Sequence, residues 1–112
     1  MATATNIRIL DNHRMQFQGL FSNVLLVTFT IPETTVSGNA TEESSIAVAG
    51  VDHETDYVLA WTHTHDTEHA HEVMEDIHTW DGAVHLIAHN RSGSPVTIPA
   101  TTYRVIVARL VI

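Results

Sequence analysis

From Asn23 to Ile31 the chain alternates with a period of two. Leu25, Val27, Phe29 and Ile31 fall on one side, and Leu26, Thr28 and Thr30 on the other. Successive side chains of an extended strand point to opposite faces, so this pattern specifies a β-strand and opposes a helix. Pro32 ends the stretch, because proline has no amide to give to a ladder. Before it, Asn6–Leu10 reads as extended up to a turn at Asp11-Asn12. A short alternation then sets Met15 and Phe17 against Gln16 and Gln18.

After Pro32, residues Glu33–Ser45 read as a loop with a short edge strand at Thr34–Val36, and Ile46–Val48 as another short strand. Tyr57, Leu59 and Trp61 alternate with Val58, Ala60 and Thr62, and His63 and His65 would continue the Tyr57 face. Asp66–Glu75 is polar and histidine-rich and reads as a loop. A short helix is the alternative, because Ala70, Val73, Met74 and Ile77 have helical spacing. Asp81-Gly82 signals a two-residue hairpin of type I′, with positive φ at both central residues. It joins a strand ending near Trp80 to one over Ala83–His89. Asn90–Pro95 is a loop, Val96–Ile98 is short, and Thr102–Val111 is the last strand. Seven or eight short strands at a spacing of about ten residues predict a single all-β domain over residues 1–112, an antiparallel β-sandwich of jelly-roll-like character.

The centre of the last strand, Val105-Ile106-Val107, is apolar on both faces. The outer sheet of a lone sandwich should be polar on one face. Leu26, Ile106 and Leu110 therefore lack a place in a monomer, and burial between copies would supply one. A homo-oligomer is the expectation.

Composition narrows the partners. Among 112 residues there are 13 acidic side chains, five arginines and no lysine, for a net charge of −8. A basic nucleic-acid-binding patch is not expected, nor is attraction to an anionic membrane. The chain has no cysteine, which excludes disulfides, thiolate metal sites and cysteine nucleophiles. No apolar run reaches the ~18 residues of a membrane-spanning helix. The start, Met1-Ala-Thr-Ala-Thr, lacks the basic and apolar regions of a secretory signal, and the chain is expected to be a complete small gene product. Neither a Gly-x-Ser-x-Gly elbow nor a phosphate loop occurs.

Four segments carry a family resemblance: Thr41-Glu-Glu-Ser-Ser-Ile-Ala-Val-Ala-Gly50, Asp56-Tyr-Val-Leu-Ala60, Asp81-Gly-Ala-Val-His-Leu-Ile-Ala-His-Asn90 and Ile98-Pro-Ala-Thr-Thr-Tyr-Arg-Val-Ile-Val107. In this order they resemble small β-sandwich virion proteins of tailed phages, the capsid decoration (cement) proteins and related fibre-head modules. The resemblance covers Thr41 to the end. It leaves out the histidine-rich insert between Thr62 and His78 and the first 40 residues. It implies a non-enzymatic structural protein of the virion, a homotrimer bound to the major capsid protein on the capsid exterior. Residues 1–20, which lack a core pattern, are then expected to touch the shell. A receptor-binding fibre or tail head is the alternative the same resemblance allows. Trp61 and Trp80 would then form a sugar-stacking patch, although core or interface packing is the ordinary use of tryptophan.

Nine histidines are present, six of them between His53 and His78. His63 and His65 would share one face of a strand and could bind one ion, with Asp66, Glu68 and Glu72 as ligands or orienting groups. The cluster His63, His65, His69 and His71 is read three ways: a polar loop, a metal site, or a group that gains charge between about pH 5 and 8. His63-Thr-His65 with Glu68 or Glu72 also loosely resembles the first metal motif of cupins. Ile98-Pro-Ala-Thr-Thr-Tyr lacks the glycine and histidine of the second. His85 and His89 share a strand face and are expected to pack against a neighbouring strand. No catalytic, cofactor-binding or metal residue is assigned.

Overall fold

The two strands most strongly patterned in the sequence pair with each other. The computed structural model describes residues 2–9, 20–64 and 72–111. Its nine strands are β1 (Ala2–Ile9), β2 (Phe21–Ile31), β3 (Thr34–Val36), β4 (Thr41–Ala47), β5 (Asp56–His63), β6 (Val73–Trp80), β7 (Ala83–Asn90), β8 (Val96–Ile98) and β9 (Thr101–Leu110). β2 runs antiparallel to β9 with Val27 opposite Val105 and Phe29 opposite Tyr103. The Phe29 and Tyr103 rings stack with centroids 5.2 Å apart.

The strand order is β5-β9-β2-β1-β4-β7-β6, with β3 and β8 forming a separate two-stranded ribbon. β1 links the layers of this sandwich. Ala2 and Thr3 pair in parallel with Ile46 and Ala47 of β4, and the strand then pairs antiparallel with β2 as far as Ile9. The layers close on one core, where Val27, Phe29, Val105 and Val107 meet Ile46, Ile77, Val84 and Leu86. A smaller cluster of Val73, Ala88 and Val96, with Ile98 against it, joins β6 and β7 to β8. All described strand pairings are antiparallel except β1 with β4.

Several sequence expectations change. The strand at Ile46 begins earlier, at Thr41. Its residues read as a loop because both faces are polar: Glu43 and Ser45 face water, while Glu42 and Ser44 border a cavity of about 30 Å³ beneath the β3–β8 ribbon. That space suits one water and not a substrate. The segment at Val73 is a strand, not a loop or a helix. Val73 and Ile77 are buried on one side while Met74 and Asp76 are exposed on the other. Pairing with β7 sets this period of two and overrides the helical spacing.

In β5 the register shifts between Val58 and Ala60. This bulge reverses the alternation, so Val58 and Trp61 face the core while Tyr57 lies outside. Tyr57, Trp61 and His63 do not share a face. The Asp81-Gly82 hairpin forms, but only Gly82 has positive φ, so the turn is not type I′. Residues 2–9, part of the segment expected to touch a shell, form β1, with Asn6, Ile7 and Arg8 exposed. Residues 10–19, including the Met15 and Phe17 alternation, lie outside the described residues.

One polar side chain ties the loops at the ribbon end. Asn90 is fully buried. Its amide donates to the carbonyls of Val36, Ser37 and Ser94 at 3.0, 3.3 and 2.7 Å. Its oxygen accepts from the Ser92 amide and hydroxyl. Beside it Gly38 meets Gly93 so closely that an added Cβ would lie 2.5 Å from the Gly93 backbone. Removing Asn90 strands several buried polar groups at once. Asn90→Ala is expected to lower the unfolding free energy by about 3 kcal/mol, measured by urea denaturation. A loss under about 1 kcal/mol would mean that the loops hold without it.

Candidate functional site

Alternation in β4, β6 and β7 sends their second set of side chains to the outer face of that layer. The pairings His78–His85, Asp76–Ile87, Met74–His89 and Glu43–Ile87 place those residues together there. The face combines imidazoles and Trp80 with the carboxylates Glu43 and Asp76 and the apolar Met74 and Ile87. Trp80 remains 48% exposed at its end.

The aromatic groups form a continuous column. The His53 ring stacks on Trp80 at 4.8 Å, and the His85 ring lies on Trp80 at 5.7 Å and 24°. His78 then meets His85 edge-on at 5.3 Å. Carboxylates flank the column. His53 Nδ1 lies 2.9 Å from Asp81 Oδ1, and His85 Nδ1 lies 3.0 Å from Glu43 Oε1. Asp76 Oδ2 is 3.7 Å from His78 Nδ1. His89 Nδ1 is 2.8 Å from the Thr41 hydroxyl. In the acid–His53–Trp80–His85–acid order, each flanking imidazole commits one nitrogen to an oxygen. A protonated imidazole on the indole adds a cation–π attraction.

His53 reaches this face from a loop, and a second element holds that loop. Asp56 is buried and takes a two-pronged bond from Arg109, Nε to Oδ1 at 3.0 Å and Nη2 to Oδ2 at 3.2 Å. Arg109 also donates to the Gly50 carbonyl, and the Asp52 amide donates to Asp56 Oδ2. Val48 and Val51 exchange backbone bonds with Gly82. The loop is thereby fixed to β9 on one side and to the β6–β7 turn on the other. The bond to Asp56 raises the Arg109 pKa above its already high ordinary value.

The sequence-selected histidines are only partly within view. His65, His69 and His71 lie outside the described residues, as do Asp66 and Glu68. His63 is half-buried at the end of β5 and faces inward, its ring 6.1 Å from Tyr103 and 5.8 Å from Trp61. The Tyr103 hydroxyl donates to Glu75 Oε2 at 2.6 Å. Burial, followed by that carboxylate, pushes the Tyr103 pKa well above its ordinary 10, so the phenol acts as a fixed donor. Trp61 packs against the core. Trp80 is exposed but already stacked by imidazoles, so the two tryptophans form no common platform.

Asp52, His53 and Asp81 hold potential ligand atoms within 4.8 Å of one another, the sole such group among the described residues. All three are exposed. His53 Nδ1 and its backbone amide both bond Asp81 Oδ1, and Asp52 Oδ1 accepts the Glu54 amide. These bonds brace the loop. Sequence reading had the pieces, His78, Trp80, His85 and His89, but not the column. The contribution of His53 depends on a loop path that no periodicity encodes.

Compared with protein-family models, characterised proteins and solved structures, the chain matches none.

The His53–Asp81 bond has a pH signature. It raises His53 above its ordinary 6.5, with the charges of Asp81, Glu54 and Asp52 adding to the rise and desolvation opposing it. It lowers Asp81 below 3.8, together with the bond from the His53 amide. The contribution of His53 is full below 6.5 and fades as pH rises through its folded pKa; that of Asp81 is full above 3.8 and fades as pH falls through its lowered value. The loop is therefore best braced between 3.8 and 6.5. An NMR titration should place the His53 midpoint above 6.5, and Asp81→Asn should bring it back toward 6.5. An identical midpoint in the variant would remove Asp81 as the cause.

Proposed function

We propose that this chain is a phage capsid decoration protein, a homotrimer that binds the outer surface of the major capsid protein shell and stabilises it. The carrying observation is that both outer faces of the sandwich keep apolar or aromatic side chains in partial contact with water. Leu26, Ile106 and Leu110 do so on one face, and Met74, Ile87 and Trp80 on the other. Such faces suit association, and association needs no chemistry. The segment resemblance to small virion β-sandwiches supplies the setting. Its location would be the capsid exterior, and its partners the shell and its own copies.

A fibre or tail head would use the same kind of fold, but a sugar-stacking head calls for a bare aromatic platform, and Trp80 already has His53 and His85 against it. A cupin-like enzyme calls for a pocket joining His63 to a second histidine and a carboxylate. Among the described residues His63 joins no group of three potential metal ligands, and its ring lies beside Tyr103, whose hydroxyl bonds Glu75.

Repeated small contacts act together. A trimer joins three weak footholds through effective concentration, so each foothold can fall below the roughly 800 Å² per partner of a standard interface. Purified chain added to shells that lack it should saturate at a copy number near that of the capsid subunits and raise the temperature at which the shell breaks. Binding at only a handful of sites per particle would indicate a tail location, and failure to bind would end the proposal.

A further inference from the structure

The two outer faces of the sandwich carry opposite charge. On the β5-β9-β2-β1 face, the charged groups among the described residues are Arg8 and Arg104. Arg8 lies opposite Leu26, which lies opposite Ile106; Arg104 lies between Thr28 and Thr62. Both arginines are exposed, and neither forms an ion pair among the described residues. On the β4-β7-β6 face the charged groups on the described strands are Glu43 and Asp76, with Asp81 at the β6–β7 turn, and beyond the other end Arg91 follows beside Glu72, its amide bonded to the Glu72 carbonyl. Each face also has half-buried or exposed apolar side chains at its centre: Leu26 and Ile106 on the first, Ile87 and Met74 on the second.

A chain with a net charge of −8 repels its copies on average. Placing two unpaired arginines on the face with no carboxylate among its described residues makes one orientation an exception. From this we infer that the arginine face of one copy docks on the carboxylate–histidine face of a second, with Arg8 and Arg104 meeting Glu43 and Asp76 and the aliphatic centres covering one another. Face-to-like-face pairing would set arginine against arginine or carboxylate against carboxylate. The contact is therefore heterologous. Each copy keeps one face of each kind, and the arrangement is finite only if successive rotations close a ring. The inference rests on the self-association in the proposed function and is independent of shell binding.

The test uses the full chain in solution without shells. Wild type should sediment as an oligomer in low salt, and association should weaken at least about tenfold at several hundred millimolar salt, because exposed charges are screened over about 10 Å or less. Arg8→Glu/Arg104→Glu should be monomeric. Glu43→Arg/Asp76→Arg should also be monomeric, although its arginine face is intact. Mixed one to one, the two variants should associate again, which also shows that both are folded. The inference is overturned if either double variant alone keeps the wild-type oligomer, since that would locate an isologous contact on the untouched face. It is equally overturned if the mixture stays monomeric or if wild type is a monomer in low salt. Binding of the chain to shells, scored separately on particles, decides the decoration proposal whichever way the solution experiment falls.

Discussion

A two-layer sandwich covers each sheet on one side only, and that geometric limit governs the rest of the molecule. Val27, Phe29, Val105 and Val107 on one layer need Ile46, Ile77, Val84 and Leu86 on the other. Once these have met, every residue of opposite parity is committed to the outside. Ile106 lies between Val105 and Val107, so it cannot join the core without withdrawing both. The outer faces are in this sense a by-product of the inner ones. Their aliphatic and aromatic side chains remain because the strands that carry them are already fixed.

The ends of the sandwich are held by polar groups, not by apolar ones. Asn90 gathers the carbonyls of Val36, Ser37 and Ser94 at the ribbon end, and Asp56 with Arg109 anchors the loop that bears His53. Buried polar groups restrict geometry because a misplaced donor or acceptor loses its bond and cannot recover it from water. The precise placement of His53 on Trp80 therefore depends on a carboxylate and a guanidinium on the opposite side of the loop. The histidine face is a supported surface, with its aromatic column braced at both ends by acids.

The division of charge between the faces follows from how few cations the chain has. With five arginines and no lysine, the position of each arginine shapes the field. Arg109 is spent within the fold on Asp56, whereas Arg8 and Arg104 project from an outer sheet face with no acid among its described residues. Acids gather on the opposite sheet, where histidines absorb part of their field through hydrogen bonds. A uniformly acidic protein would have only repulsion to offer its own copies. This one has a polarity across its thickness.

The sequence by itself determined the all-β class, the strands at β2, β3, β7, β8 and β9, the hairpin at Asp81-Gly82 and the inward set of β2, because each is written in local alternation and turn chemistry. It also determined that Leu26 and Ile106 would sit outside, since parity along a strand is a local property. Only the tertiary structure decided the rest. The first five residues of β4 have no apolar side chain to announce them and are extended because β7 supplies their hydrogen-bond partners. A bulge at one residue of β5 reversed which side Tyr57 faces, and a bulge depends on the neighbouring strand. The helical spacing at Val73 and Met74 yielded to pairing with β7. The column of His53, Trp80 and His85 joins a loop to two strands whose relation is set by sheet order and by a part-buried ion pair, both of them long-range interactions that no window of sequence contains.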